Sequence, residues 1–179
     1  KYIGPGNYID KILSIAVDNT GNVCATGYSQ RIPTGYDALT IKYDGDGNQL
    51  WAALYDRDHF NDLGNSIDVD DLGNVYVTGN SLNQYLTLKY NASGIMQWDE
   101  LFGTSQLVSS LALDLDLSGN VYVTGFTYSA ASLEDYTTIK YNNSGVQQWI
   151  KYYNGTGNSY DLPHSIKVDD SGNVYVTGE

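Results

Sequence analysis

The chain repeats one phrase four times, and this repetition restricts its possible folds more than any other feature of the sequence. The copy at residues 66–81 reads SIDVDDLGNVYVTGNS, and the other three keep most of its letters. A Gly-Asn pair marks the same point in each copy, and successive glycines are 52, 46 and 53 residues apart. A period of this length is typical of proteins built from stacked structural repeats. The four marker glycines are Gly21, Gly73, Gly119 and Gly172.

A second phrase lies between the copies of the first. It reads LTIKYDGDGNQLW at 39–51, LTLKYNASGIMQW at 86–98 and TTIKYNNSGVQQW at 137–149. Both phrases predict β-hairpins, because residues that favour strands flank a turn that opens with Asp or Asn. That residue accepts hydrogen bonds from the turn backbone. The Gly three residues later takes the left-handed conformation that closes a type I turn with a bulge.

Two hairpins in each repeat give four strands, which we call a, b, c and d. In the second repeat they read SIDVD, NVYVTG, LTLKY and QWDEL. Four antiparallel strands in about 50 residues are typical of one β-propeller blade. The sequence therefore predicts an all-β propeller of four-stranded antiparallel blades, with the chain covering roughly three and a half to four blades. The 17 Tyr, 19 Gly and only 3 Pro agree with an all-β chain.

The strands are predicted to pack on both faces, because each blade of a propeller lies between two others. Val75 and Val77 alternate with Tyr76 and Thr78, so both faces of this b strand can be buried. Cys24 replaces the tyrosine of the sister copies and is predicted to act as a small hydrophobic residue. The recurring tryptophans are predicted to form wedges between blades, and they are Trp51, Trp98 and Trp149.

Three stretches resemble the bacterial β-propeller repeats known as SBBP repeats. They read DYTTIKYNNSGVQQW, KYYNGTGN and SIKVDDSGNVYVTG, and the resemblance extends over essentially the whole chain. Cys24-Ala25 and the phrase LALDLDLSGN depart from the pattern locally. The resemblance implies the propeller fold and a secreted or surface-displayed module, and it implies no shared catalytic residues.

The two ends of the chain fall inside a repeat. KYIGPGN at residues 1–7 matches KYYNGTGN at 151–158, so the chain is predicted to begin within a d strand. It stops after a final b strand, which gives fifteen strands and leaves four blades one c strand short. Residues 1–179 are thus predicted to form a single propeller segment. Three explanations remain open: the segment belongs to a longer propeller, several copies complete a ring, or copies stack into a fibre.

Charge and hydropathy restrict the partners. The formal net charge of −12 repels phosphate backbones and argues against nucleic-acid binding. No apolar run of about 18 residues occurs, so no membrane-spanning helix is predicted.

Variable connections indicate where a ligand would bind. The a–b and c–d turns are short and similar in every repeat, whereas the b–c and d–a connections differ and share the opposite edge of the blades. Binding residues concentrate in variable loops on a rigid scaffold, although such loops can also be solvated connectors without a partner. Their mixture of aromatic and charged residues suits a protein or a glycan. The candidate residues are Arg31, Tyr36, Arg57, His59, Phe60, Phe126, Tyr128, Tyr160 and His164.

Catalytic and metal-binding patterns are weak. The chain has two histidines and one cysteine, and no pairing of His with a carboxylate recurs in the repeats. These residues provide no set of nucleophile and general base, so neither an enzyme nor a cofactor is predicted. Asp44, Asp46 and Asn48 resemble the head of a calcium loop, but the series of ligands stops at Gln49. A calcium site here is therefore only a weak candidate.

Together these patterns predict a non-catalytic extracellular or cell-surface module that serves as a scaffold or binds a protein or glycan. The alternative is a structural subunit whose unpaired blade edges assemble into a fibre or sheath. An enzyme that uses a central funnel ranks third.

Overall fold

The computed structural model describes residues 8–33, 35–103, 108–129, 133–156 and 159–179. Within these ranges all the secondary-structure elements are β-strands. The strands are β1 Asp10–Val17, β2 Val23–Arg31, β3 Gly35–Tyr43, β4 Gln49–Tyr55, β5 Asp62–Val69, β6 Val75–Ser81, β7 Gln84–Tyr90, β8 Met96–Phe102, β9 Val108–Leu115, β10 Val121–Ser129, β11 Leu133–Tyr141, β12 Gln147–Tyr153, β13 Pro163–Val168 and β14 Val174–Gly178.

The strands form antiparallel sheets in the order of the sequence. Blade 1 is β1–β4, blade 2 is β5–β8, blade 3 is β9–β12, and the half-blade is β13–β14. The first strand of each later sheet packs on the preceding sheet: β5 on β1, β2 and β3, β9 on β5, β6 and β7, and β13 on β9 and β10. The predicted all-β propeller, with a, b, c and d in each blade, is therefore confirmed. The d strand predicted at residues 1–7 lies outside the described residues.

The turns follow the predicted pattern, and the carboxylate of Asp70 shows why. Its Oδ1 accepts hydrogen bonds from the backbone N–H groups of Leu72 at 3.0 Å and Asn74 at 2.9 Å, and its Oδ2 accepts one from Asn74 Nδ2. Gly73 has a φ of 77°, in the region that favours glycine. The same contacts recur around Asp18, Asp116 and Asp169. The local sequence thus fixes each hairpin.

The hydrophobic core lies between blades and not within them. One cluster joins Cys24 and Tyr55 of blade 1 to Ile67, Val77 and Leu88 of blade 2. A second cluster joins blades 2 and 3 in the same way. Because no blade encloses a core of its own, each sheet depends on its neighbours for the burial of its apolar face.

Two of the three recurring tryptophans form the predicted wedges. The Trp51 ring lies against Gly94 of the next blade, where a Cβ would stand 2.6 Å from the ring, and Trp51 Nε1 donates to the carbonyl of Ala92 at 3.1 Å. Trp98 donates to the carbonyl of Asn143 at 3.0 Å in the corresponding position. The wedge prediction is confirmed for both, because each indole contacts the c–d turn of the following blade.

Cys24 is buried as predicted, and its neighbourhood explains how the replacement of tyrosine is accommodated. In the sister copies the tyrosine hydroxyl donates to the turn carboxylate, as from Tyr76 to Asp70 at 3.0 Å. At the Cys24 position the ammonium of Lys42 lies 2.8 Å from Asp18 Oδ2 instead. Blade 1 thus pairs its turn carboxylate with a cation and no tyrosine hydroxyl, whereas in blade 3 Asp116 has both the Tyr122 hydroxyl and, at 3.7 Å, Lys140.

The b–c connections are shorter than the sequence predicted. The pairing of β2 with β3 continues to Arg31 and Gly35, and the pairing of β10 with β11 continues to Ser129 and Leu133. Polar residues can extend an antiparallel ladder beyond the core, since backbone pairing does not require apolar side chains. The assignment of Arg31, Tyr36, Phe126 and Tyr128 to connections was therefore wrong, because they lie in strands. His164 likewise lies in β13.

Candidate functional site

The variable edge is the edge of the blades that carries the b–c and d–a connections. Between blades 1 and 2 it is organised by Asn61, at the end of the connection from β4 to β5. Asn61 Oδ1 accepts a hydrogen bond from the Tyr36 N–H at 3.1 Å, and the Asn61 carbonyl accepts one from the Leu82 N–H at 3.2 Å. A Cβ on Gly35 would stand 2.6 Å from Asn61 Oδ1. One residue therefore ties this connection to the b–c turns of both blades.

Within the same connection, two carboxylates accept hydrogen bonds from backbone N–H groups. Asp62 Oδ2 accepts from the Arg57 N–H at 2.7 Å, and Asp56 Oδ1 accepts from the His59 N–H at 3.0 Å. Asp58 and His59 both have positive φ, at 54° and 62°. These contacts fix a tight loop that leaves the Phe60 side chain exposed.

Charged and aromatic side chains surround this loop. Arg57 Nη1 lies 3.5 Å from Asp99 Oδ2, which also accepts a hydrogen bond from the Tyr55 hydroxyl at 2.8 Å. Burial raises the pKa of Tyr55 to about 12, so the hydroxyl keeps its proton and remains a donor. His59 Nδ1 lies 3.2 Å from Asp56 Oδ2. The imidazole and the guanidinium thus each have a carboxylate partner in the loop or beside it.

The nearby hairpin of β2 and β3 contributes Arg31 and Tyr36. Arg31 Nη1 lies 3.1 Å from Asp37 Oδ2, and the Asp37 side chain is fully buried. The rings of Tyr28 and Tyr36 meet edge to face with centroids 4.9 Å apart. Five of the nine candidate residues, Arg31, Tyr36, Arg57, His59 and Phe60, thus belong to one part of the variable edge.

The other four candidates belong to blade 3, to the half-blade or to the connection that joins them. Phe126 and Tyr128 lie in β10, paired with Tyr136 and Glu134 of β11. The Asp161 N–H donates to the Glu134 carbonyl at 2.7 Å and brings the connection that carries Tyr160 beside this hairpin. His164 Nε2 lies 3.7 Å from Glu179 Oε1. Among the described residues, no hydrogen bond, ion pair or ring contact joins this group to the first.

Sequence reasoning missed the buried carboxylates beneath the variable edge. Asp62 is fully buried, and burial, with the negative charges of Asp56 and Asp37 adding to it, raises its pKa. Asp161, which is partly buried, takes the corresponding place two residues before β13 and accepts from the Gly155 N–H at 2.7 Å. The shared signal was an Asp-Leu pair, at 62–63 where β5 begins and at 161–162 just before β13.

The weak calcium candidate forms an ordinary turn. Asp44 Oδ1 accepts from the N–H groups of Asp46 and Asn48, and Asp44 Oδ2 accepts from Asn48 Nδ2. These bonds, those from Asn48 most of all, lower the pKa of Asp44. Within the described ranges no group of three His, Cys, Asp or Glu residues is placed to hold a metal ion.

Two segments of the chain match a known family. Residues 59–85 and 148–179 match the SBBP family, described as a β-propeller repeat. These two segments are SBBP β-propeller repeats. The resemblance seen in the sequence is thereby confirmed, and both matched segments include a connection at the variable edge.

Two solved structures share the fold of this chain. A protein of unknown function from Bacteroides caccae aligns with a TM-score of 0.58 at 16% identity, over 93% of this chain and 52% of that one. A chain of a nidogen/laminin complex aligns with a TM-score of 0.55 at 15% identity, over 88% of this chain and 52% of that one. At such identities the likeness shows the fold alone. This chain spans about half the length of each.

A sequence search of the curated proteins finds no match to this chain. In the part of the chain that the structure describes, no helix is long and apolar enough to cross a membrane.

Proposed function

We propose that this chain is a non-catalytic module of an extracellular or cell-surface protein that binds a protein or a glycan through its variable edge. The observation that carries the proposal is the connection from β4 to β5. Asn61 ties it to both neighbouring b–c turns, and it presents Arg57, His59 and Phe60 together. Propeller repeats serve generally as scaffolds and binding modules, and ligand contacts concentrate in loops on such scaffolds.

The chemistry of this surface supports recognition. Aromatic residues and arginine are enriched at protein interfaces, and a loop already fixed by hydrogen bonds loses little conformational entropy on binding. Phe60 is exposed, and Arg57 is half exposed beside Asp99. The neighbour of the same fold that lies in a nidogen/laminin complex is consistent with a protein partner, although its identity to this chain is only 15%.

The test combines a glycan array with a pull-down from the native source. The triple variant Arg57→Ala, His59→Ala and Phe60→Ala should abolish any binding found, while circular dichroism stays unchanged. Its matched control is Leu72→Ala with Leu117→Ala, because these exposed apolar residues lie on the opposite edge of the blades. Binding that survives the triple variant, or that the control also abolishes, would show that the variable edge is not the binding surface.

A second candidate function rests on the first blade. Ile15 is 65% exposed, whereas Ile67 and Leu113, at the same position of the repeat, are each 6% exposed. An uncovered blade face of this kind can associate head to tail with the far end of another copy and form a fibre. Filaments under negative stain that disappear in the Ile15→Lys variant would favour this structural subunit, whereas isolated discs would exclude it.

A further inference from the structure

A lysine recurs in the c strand of each complete blade, and the copy in blade 2 differs from the other two in its contacts. Lys42 Nζ lies 2.8 Å from Asp18 Oδ2, and Lys140 Nζ lies 3.7 Å from Asp116 Oδ2. Each of these two lysines therefore pairs with the turn carboxylate of its own blade. In the part of the chain that the structure describes, no carboxylate forms an ion pair with Lys89.

Lys89 instead reaches across the interface to Asn143, in the turn between β11 and β12 of blade 3. Its Nζ donates to the Asn143 backbone carbonyl at 3.1 Å and contacts Oδ1 of the Asn143 side chain. Trp98 Nε1 donates to the same backbone carbonyl at 3.0 Å. Because Oδ1 is bonded to Cγ, the amine of one blade lies next to the carboxamide carbon of the other.

The environment of Lys89 favours the neutral amine. The residue is 7% exposed. Burial lowers the pKa of Lys89, and the negative charge of Asp70 offsets only part of this effect. A neutral amine carries the lone pair that attacks a carbonyl carbon, so a buried lysine of this kind is a nucleophile.

A tyrosine hydroxyl lies beside the oxygen of the carboxamide. The Tyr76 hydroxyl is 3.3 Å from Asn143 Oδ1 and 3.0 Å from Asp70 Oδ2. Burial raises the pKa of Tyr76, so the hydroxyl keeps its proton. When an amine attacks an amide, negative charge develops on the amide oxygen, and a hydrogen-bond donor at that oxygen stabilises the transition state.

The interface between blades 1 and 2 has the lysine but lacks the carboxamide. A Cβ on Gly73 would stand 3.5 Å from both Ala92 Cβ and Lys42 Nζ. At the corresponding place in the next interface, a Cβ on Gly119 would stand 2.9 Å from Asn143 Nδ2. Alanine thus takes the place of the asparagine beside Lys42, and it has no carbon that an amine can attack.

We propose that Lys89 and Asn143 form an isopeptide bond that joins blade 2 to blade 3. The Nζ lone pair attacks Cγ, so that the Nζ–Cγ bond forms and the Cγ–Nδ2 bond breaks. One proton moves from Nζ to Nδ2, which leaves as ammonia. The reaction is redox-neutral and needs no co-reactant.

The structure provides an exit for the ammonia and a role for the bond. A pocket of about 250 Å³, lined by Ser118, Gly119 and Asn143 among others, opens beside the carboxamide, and Nδ2 lies 3.5 Å from the Ser118 carbonyl. The bond would connect residues 54 positions apart in the chain. A cross-link of this length restricts the unfolded chain, so it would hold the two blades together where the interface alone opens.

The test measures the intact mass of the purified 179-residue chain. We expect a mass about 17 Da below that of the unmodified sequence, because one ammonia is lost. Trypsin should not cut after Lys89. It should release residues 58–140 joined to residues 141–151, which tandem mass spectrometry identifies.

Matched variants assign the bond to these two residues. Lys89→Arg and Asn143→Ala should both have the unmodified mass and give separate tryptic peptides. Asn143→Ala copies the alanine of the interface between blades 1 and 2, so its fold should be intact by circular dichroism. Lys140→Arg, at the sister position, should still lose ammonia.

Three results would overturn the inference: an unmodified mass for the wild-type chain, a loss of ammonia without the joined peptides, or a loss that persists in Lys89→Arg. The bond lies at the edge of the blades opposite the variable edge, so the inference does not rest on the proposed function. The triple variant of Arg57, His59 and Phe60 should still form the bond, and Lys89→Arg should still bind any ligand of the variable edge.

Discussion

The pentapeptide Val-Tyr-Val-Thr-Gly occurs three times, and its copies in blade 2 at 75–79 and in the half-blade at 174–178 have opposite surroundings. Tyr76 is completely buried between blades, whereas Tyr175 is 59% exposed. The turn geometry is nevertheless the same, since both tyrosine hydroxyls donate to the turn carboxylate. Local sequence thus sets the shape of each hairpin, while the neighbouring sheet determines how much of it is buried. Stability in such an array resides largely in the interfaces between repeats.

The largest effect on stability is expected when the same repeat position is changed in blade 1 and in blade 2. Ile67→Ala should lower the free energy of unfolding by about 3 kcal/mol, because it leaves a cavity in the interface of blades 1 and 2. Ile15→Ala should cost less than about 1 kcal/mol, because Ile15 already contacts solvent. Urea denaturation measures both, and equal losses would show that burial between blades does not control stability.

The second comparison concerns the lysines beside the turn carboxylates. Lys42→Met should lower the free energy of unfolding by about 2 kcal/mol, because it leaves the nearly buried Asp18 carboxylate without its cation. Lys140→Met should cost about 0.5 kcal/mol, because Lys140 lies 3.7 Å from Asp116, is partly exposed, and leaves the Tyr122 hydroxyl in place. The quantity to measure is the difference between the losses of unfolding free energy in Lys42→Met and Lys140→Met. A larger loss in Lys140→Met would contradict the account.

A smaller effect concerns pH. Burial alone would raise the pKa of Asp18, but Lys42, Thr20 and Asn22 hold it well below its ordinary value. A carboxyl with a lowered pKa in the folded state contributes stability above pH ~4, and this contribution is lost as pH falls further. Asp18→Asn should therefore flatten the fall of stability between pH 5 and pH 3, whatever its effect at pH 7. Urea titrations at several pH values measure how steeply the free energy of unfolding falls between pH 5 and pH 3. If Asp18→Asn leaves that slope unchanged, Asp18 is not the group responsible.

The sequence predicted the strands and turns because their causes are local. An Asp, a Gly three residues later and flanking Val, Tyr or Ile determine a hairpin wherever they occur, as at Asp70 and Gly73. The tryptophan wedges were also predictable, because a large apolar residue that recurs once per repeat has only the neighbouring blade to pack on. The repeated phrase by itself does not reveal exposure, since Ile15 and Ile67 occupy equivalent positions in almost the same phrase.

The candidate site was harder to predict than the fold. The residues at the variable edge were chosen for their chemistry, and the structure divides them into two groups that the sequence could not separate. Arg31 and Tyr36 were placed in a connection because polar residues surround them, but the strand ladder continues through them. The anchoring role of Asn61 depends on two hydrogen bonds to distant turns, and no local pattern reveals such contacts.

The smallest effect is chemical and concerns Cys24. Burial raises the pKa of its thiol to about 11, so the thiol stays protonated near neutral pH, and the thiolate is the reactive form. A thiol reagent should therefore react slowly with the folded chain. The reaction should accelerate in Ile67→Ala, which weakens the interface that covers Cys24, and not in Ile15→Ala. Fast labelling of the wild-type chain would show that this interface is open.

Hydrogen exchange of the repeated pentapeptide tests the central claim most directly, because identical residues have nearly the same intrinsic exchange rates. If the neighbouring sheets provide the protection, amides at 75–79 and 121–125 should exchange only on global unfolding, and those at 174–178 should exchange much faster through local opening. Equal protection of all three copies would contradict the account, because it would mean that each hairpin is stable without a neighbour to cover it.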